Sequence, residues 1–132
     1  MKELESPCLK FNREQWRQYR HNEPLTLSEA ELGKLRGVNE IVSLDEIQDF
    51  YLPLSRLLNL YISQTQTLYE VTSQFLQSDE PKVPYIVGVC GSVAVGKSTT
   101  SRILKALLSR GPNHPTVSVI NTDGFLYPTH QL

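Results

Sequence analysis

Residues 91–98 match the pattern G-x-x-x-x-G-K-[ST], in which two glycines, a lysine and a hydroxyl side chain stand at fixed spacing. Gly91 and Gly96 permit backbone turns and close approaches that a Cβ atom would block. In a loop of this kind the backbone N–H groups converge on phosphate oxygens at the positive end of the following helix. The spacing therefore predicts a phosphate-binding loop.

Two side chains of the loop have predicted chemical roles. Lys97 brings a positive charge to the β- and γ-phosphates of a nucleotide, and Ser98 offers its hydroxyl to Mg²⁺. The alternative is a glycine turn that merely joins a strand to a helix, but the segments on both sides favour the phosphate site. The candidate phosphate-binding residues are Gly91, Ser92, Val93, Ala94, Val95, Gly96, Lys97, Ser98 and Thr99.

A carboxylate follows the second predicted strand of the chain. Asp123 stands in the run Thr122, Asp123, Gly124, Phe125. In open α/β sheets, ligands bind outside the carboxyl ends of the strands, so Asp123 is expected on the same rim as the loop. It could orient Mg²⁺ or accept the proton of an attacking hydroxyl in phosphoryl transfer. The alternative is a turn-forming aspartate before glycine. Asp123 and Lys97 are the candidate catalytic residues.

The segments around the loop predict the start of an α/β domain. Residues 85–90 and 116–121 form short segments rich in apolar and β-branched residues, which is typical of strands. Between these segments, the apolar residues of 101–108 recur at the spacing of a helix. Together they predict a parallel, right-handed βαβ unit. The predicted fold class is α/β, with a P-loop kinase-like parallel sheet of which only the first βαβ unit is present. This domain takes residues 81–132 and follows a helical region at residues 1–80.

Three capping signatures support the helical region. Asn12 with Gln15, Ser28 with Glu31, and Ser43 with Glu46 each place a cap three residues before its partner. A long helix is predicted from near Pro53 to about Gln77, with a break or kink at the proline. Its apolar stripe is expected to be core, with a binding face as the alternative. The stripe comprises Leu54, Leu57, Leu58, Tyr61, Thr65, Leu68, Thr72, Phe75 and Leu76.

Composition narrows the function classes. The chain has 132 residues, a net charge of -1 and 39% hydrophobic residues, which predicts a globular protein without an electrostatic footprint for nucleic acid or an anionic membrane. Cys8 and Cys90 are too few for a disulfide framework, and the three histidines lack metal-binding spacing. No apolar run reaches transmembrane length, so a cytoplasmic location is expected.

The chain as a whole resembles the N-terminal part of bacterial (type I) pantothenate kinases. The run Gly-Ser-Val-Ala-Val-Gly-Lys-Ser-Thr-Thr at residues 91–100 is far more specific than a bare phosphate loop. The other motifs, in the same order as in the family, are residues 25–28, 37–40, 51–58, 84–86 and 122–125. Members of the family are longer, so the chain is expected to be an incomplete form.

The resemblance implies ATP-dependent phosphorylation of pantothenate to 4'-phosphopantothenate, the first step of coenzyme A biosynthesis. It implies that Lys97 and Ser98 bind phosphate and Mg²⁺, that Asp123 acts on the primary hydroxyl of pantothenate, and that Asn39 contacts the adenine of ATP. Arg102 matches a basic residue tied to ligand phosphates. The resemblance further implies feedback inhibition by coenzyme A, which competes with ATP, and a homodimer.

Two other functions are compatible with the residues. One is another P-loop small-molecule kinase, such as a uridine or phosphoribulose kinase, which the extended loop motif disfavours. The other is a non-catalytic remnant that binds nucleotide or dimerises with an intact enzyme.

Overall fold

The computed structural model describes residues 7–36, 42–80, 82–92, 96–111 and 116–122. The regular elements within these ranges are helical. They are α1 (Arg13–Arg17) with a 3₁₀ turn at Gln18–Arg20, α2 (Glu29–Leu35), α3 (Leu44–Glu46), a π-helical turn at Ile47–Tyr51, α4 (Leu52–Leu76) and α5 (Lys97–Ser109). The candidate residues Asn39 and Asp123 lie outside the described residues.

The predicted helix starts are confirmed by their hydrogen bonds. The side chain of Asn12 accepts from the backbone N–H of Gln15 at 2.8 Å, and the side chain of Gln15 accepts from the N–H of Asn12 at 3.0 Å. The same reciprocal pair joins Ser28 and Glu31 at the start of α2. At α3, the hydroxyl of Ser43 accepts from the N–H of Glu46 at 3.2 Å. Each cap satisfies donors that the helix itself leaves without an acceptor.

The predicted boundary near Pro53 is a π turn and not a gap between helices. Helical backbone runs from Leu44 to Leu76, with the π turn at Ile47–Tyr51 placed before the proline. Inside an α-helix, a proline ring clashes with the carbonyl four residues earlier, here that of Asp49. A π turn widens the backbone at that point and so accommodates Pro53 within a continuous helix. α4 ends at Leu76, close to the predicted end, and its C-cap residue Gln77 is left-handed with φ 52°.

A single apolar cluster joins α5 to the N-terminal helices. Its buried members are Leu27, Leu32, Ile47, Leu52, Ile103 and Leu107, contributed by α2 and the segment before it, the π turn, the start of α4 and α5. At the C-terminal end of α5, Arg110 donates to the carbonyl of Thr26 at 2.8 Å and pairs with Glu31. The hydrogen bond from Arg110 lowers the pKa of the Glu31 carboxyl. Residues far apart in sequence thereby fix where α5 lies.

The apolar stripe of α4 is not core, contrary to the sequence-based prediction. The buried residues of α4 are Leu52, Pro53 and Ser55, all within its first turn. Further along, Tyr61 is 58% exposed, Leu68 67% and Phe75 84%. Helical periodicity shows which residues share a face, but burial of that face needs a neighbouring element, and the cluster includes α4 only at its beginning.

None of the helices in the described ranges is long and apolar enough to cross a membrane.

The predicted βαβ unit is absent from the described residues. Residues 85–90 and 116–121 are assigned no strand, and only the helix between them, α5, is present. Ile86 is 86% exposed and Ile120 77%. A strand requires a hydrogen-bonded neighbour, and a pair of strands alone is marginal without a packed face. The regular elements that the structure describes are therefore helical, and the predicted βαβ unit is not shown.

Because Ile103 is fully buried in the shared cluster, we expect Ile103→Ala to lower the free energy of unfolding by about 2–5 kcal/mol. Ile120→Ala removes the same atoms from a largely exposed site and should change the free energy of unfolding by less than about 0.5 kcal/mol. Urea denaturation of the 132-residue chain measures both values. Equal effects would show that α5 is not docked as described.

Candidate phosphate-binding site

The loop enters α5 through a glycine in a left-handed conformation. Gly96 is the N-cap residue, with φ 87° and ψ 21°, a region in which a side chain is strained. Gly96 makes no side-chain cap, and the carbonyl of Gly96 accepts the N–H of Thr100 at 2.9 Å. The N–H groups of residues 97–99 therefore precede the first bond of the helical ladder. Such groups at a helix start bind anions.

Lys97 connects the two ends of the loop. The Lys97 ammonium donates to the carbonyl of Gly91 at 2.8 Å, and the side chain is half-buried. The contact places a positive charge at the loop itself, beside the N-terminus of α5. Because the helix dipole adds partial positive charge at the same end, both contributions favour an anionic ligand.

The hydroxyl residues that follow Lys97 face different surroundings. Ser98 is exposed in the first turn of α5, whereas Thr99 is 2% exposed. The hydroxyl of Thr99 accepts from the guanidinium of Arg102 at 3.2 Å. The side chain of Thr99 thus holds Arg102 against the first turn. The backbone N–H of Thr99 is then the group of this residue that could bind a ligand.

The surroundings of the loop suit a phosphate group. The first turn of α5 has no acidic residue, and Lys97 and Arg102 are both cations. Ser98 supplies one neutral oxygen, which fits Mg²⁺ because this ion keeps most of its coordination for water and substrate phosphates. Within the described residues, no three or more His, Cys, Asp or Glu side chains form a metal-binding group.

The structure describes part of the site predicted from the sequence. Its contacts join Lys97 to Gly91 and Arg102 to Thr99 at the start of α5. The described site residues are Gly91, Ser92, Gly96, Lys97, Ser98, Thr99 and Arg102. Asn39, Val93, Ala94, Val95 and Asp123 lie outside the described residues. Their assignments therefore stay predictions.

One contact at the site had no signal in the sequence. The hydroxyl of Tyr51 lies 3.2 Å from the hydroxyl of Thr100, and the two residues are 49 positions apart in the chain. Tyr51 belongs to the π turn, so this hydrogen bond links the helical region directly to the first turn of α5. Neither capping signatures nor apolar periodicity report on a contact between distant polar side chains.

Comparison with known proteins identifies relatives along nearly the whole chain. No family model matches it. Pantothenate kinase from Coxiella burnetii (strain RSA 493 / Nine Mile phase I) is 62% identical over 127 residues, which are 96% of this chain and 40% of that protein. The chain is homologous to the N-terminal part of pantothenate kinases.

Two further pantothenate kinases agree with this assignment. The protein of Brevibacillus brevis is 58% identical over 129 residues, and that of Pectobacterium carotovorum is 57% identical over 129 residues. Both alignments include 98% of this chain. The chain spans about 40% of the length of these pantothenate kinases.

The conformation of Gly96 generates a direct test of the loop. We expect Gly96→Ala to lower the free energy of unfolding by about 1–2 kcal/mol, because alanine is strained in the left-handed region. Gly33 lies inside α2, where an added Cβ meets its nearest atom at 3.8 Å. Gly33→Ala should therefore stabilise the chain by about 0.5–1 kcal/mol. Chemical denaturation of both variants tests the difference in sign, and stabilisation by Gly96→Ala would contradict the loop geometry.

Proposed function

We propose that this chain is the N-terminal part of an enzyme that phosphorylates pantothenate to 4'-phosphopantothenate with ATP, the first step of coenzyme A biosynthesis. The observation that carries the proposal is the loop around Lys97, an uncapped helix start with a lysine beside it. The identity of 57–62% to pantothenate kinases narrows a general phosphate site to this family. In the complete protein, the loop would belong to a P-loop α/β domain.

The described residues divide the work of binding the nucleotide. The N–H groups of residues 97–99 would donate hydrogen bonds to phosphate oxygens. The ammonium of Lys97 would exchange its hydrogen bond to the carbonyl of Gly91 for contacts with the β- and γ-phosphates. Ser98 would ligate Mg²⁺, which supplies charge stabilisation on the transferring group when bound. Phosphoryl transfer depends on positioning and electrostatics, so fixed donors and cations at the loop are the chemistry that it requires.

The acceptor side of the reaction rests on the resemblance to the family. Asp123 would accept the proton of the primary hydroxyl of pantothenate as the γ-phosphoryl group is transferred, and Asn39 would contact adenine. Arg102, held by the hydroxyl of Thr99 at 3.2 Å, would pair with ligand phosphates. Feedback inhibition by coenzyme A at the ATP site, a homodimer and a cytoplasmic location complete the proposal.

The assay requires a complete enzyme. We would join this chain to the rest of the Coxiella burnetii pantothenate kinase, in place of the 127 residues that it matches. Transfer of phosphate from ATP to labelled pantothenate is then measured against a panel of other alcohols, including uridine and ribulose 5-phosphate. Preference for pantothenate supports the proposal, and preference for another acceptor would replace it with a different small-molecule kinase.

Lys97→Ala in this chimera should lower kcat by about 100-fold or more, because a positioned donor to transition-state charge contributes on that order. Lys105→Ala is the matched control, since Lys105 is an exposed lysine of the same helix and should leave the rate within about twofold. Steady-state kinetics with both substrates measures the effect. A Lys97→Ala enzyme with most of its activity would refute the phosphate-loop assignment.

Asp123→Asn in the chimera should lower kcat by about 100-fold or more, since general-base contributions are of that order. ATP affinity should stay within a few-fold, because the proposed role lies on the acceptor hydroxyl. Equilibrium binding of a fluorescent ATP analogue and turnover are measured together, with Asp79→Asn as an exposed control. Lost ATP affinity with normal turnover at saturation would make Asp123 a nucleotide ligand.

A further inference from the structure

Thr100 is held from two directions at the first turn of α5. Its backbone N–H donates to the carbonyl of Gly96 at 2.9 Å, which fixes the left-handed glycine that closes the loop. Its hydroxyl shares a hydrogen bond of 3.2 Å with the hydroxyl of Tyr51. Tyr51, Thr100 and Gly96 therefore form a continuous connection from the helical region to the loop, and Lys97 follows Gly96 directly.

Tyr51 is itself fixed by its surroundings. It is half-buried and packs against the core cluster, and the next residue, Leu52, is 2% exposed. The π turn that carries it is attached to α1, because the indole N–H of Trp16 donates to the carbonyl of Phe50 at 3.1 Å. Arg13 adds an ion pair of 2.8 Å to Asp49 within the same turn. The phenol therefore extends from a backbone that is held on two sides.

The buried apolar residues of α5 lie beyond its first turn, so polar contacts orient that turn. The buried apolar residues of α5 begin at Ile103 and continue at Leu104, Leu107 and Leu108. They fix the middle and the end of the helix. In the first turn Thr99 is buried and binds Arg102 within α5, whereas the bond from Thr100 to Tyr51 reaches outside the helix. Tyr51 is thus placed to orient the turn that carries Lys97.

We propose that Tyr51 is a positioning residue for the phosphate loop, acting through Thr100 on the N–H groups of residues 97–99 and on Lys97. The proposal rests on the proposed function of that loop. Removal of the Tyr51 hydroxyl should weaken the interaction of the loop with the nucleotide phosphates and leave the binding of pantothenate unchanged. Small misplacements of reacting groups have large kinetic effects, so even one orienting hydrogen bond is measurable in the reaction.

Tyr51→Phe in the chimera with the Coxiella burnetii enzyme keeps the ring and removes the hydroxyl. We expect kcat/KM for ATP to fall by about threefold to tenfold, the range that one lost hydrogen bond of ordinary strength produces. KM for pantothenate should stay within about twofold. A merely structural loss would lower the active fraction, and hence kcat, without this difference between the two substrates. Tyr61→Phe, at a 58% exposed tyrosine, is the matched control.

The other partner of the hydrogen bond gives a second test. Thr100→Val removes the hydroxyl at similar size and should reproduce the loss seen with Tyr51→Phe, whereas Thr100→Ser should restore it. The double variant Tyr51→Phe/Thr100→Val should be no worse than either single variant, because both remove the same bond. Additive losses would show that the two hydroxyls act separately and would overturn the proposal.

Amide hydrogen exchange of the 132-residue chain gives a readout without catalysis. In Tyr51→Phe, the amide of Thr100, which donates to the carbonyl of Gly96, should exchange faster, while amides in the buried half of α5 should exchange as in the original chain. Unchanged exchange at Thr100 together with an unchanged kcat/KM for ATP would overturn the proposal. If Lys97→Ala still abolishes turnover in that case, the proposed function stands; if Lys97→Ala retains activity, the proposed function itself fails.

Discussion

The burial of Ile103 against the N-terminal helices is the interaction on which the described structure depends. Ile103, Leu32 and Ile47 are each fully buried in one cluster that brings α2, the π turn and α5 together. Burying such a side chain contributes about 1.5–3 kcal/mol. Without this contact α5 would have no fixed position relative to the helical region, and the loop that precedes it would lose its support.

Polar contacts fix the two ends of a helix that the apolar cluster holds at its middle. At the C-terminal end, Arg110 binds the carbonyl of Thr26 and the carboxylate of Glu31. Glu31 also caps α2, so one carboxylate joins the start of one helix to the end of another. This ion pair is exposed to solvent and screened by salt, and its role is therefore alignment more than stability. At the other end, Tyr51 contacts Thr100 beside the loop.

The start of α5 differs from the starts of α1, α2 and α3. Asn12, Ser28 and Ser43 satisfy the first donors of those helices with their side chains. Gly96 has no side chain with which to do so, and its left-handed backbone leaves the N–H groups of the first turn toward the loop. Within the described ranges, side chains therefore cap the starts of α1, α2 and α3, whereas the start of α5 has no side-chain cap. That difference is the physical basis for proposing a phosphate site at α5.

The sequence by itself determined the features that depend on neighbours three or four residues away. The caps at Asn12, Ser28 and Ser43, the end of α4 near Gln77 and the helix after the loop were all predicted, because their hydrogen bonds close within one turn. The loop motif predicted backbone turns at Gly91 and Gly96, and Gly96 is the left-handed N-cap of α5. Tertiary structure alone decided which apolar surfaces are buried. Leu68 and Phe75 share a helical stripe yet remain exposed, and residues 85–90 carry strand composition without a strand partner. The hydrogen bond between Tyr51 and Thr100 belongs to the same class, since the two residues are 49 positions apart and meet only where α5 packs on the helical region.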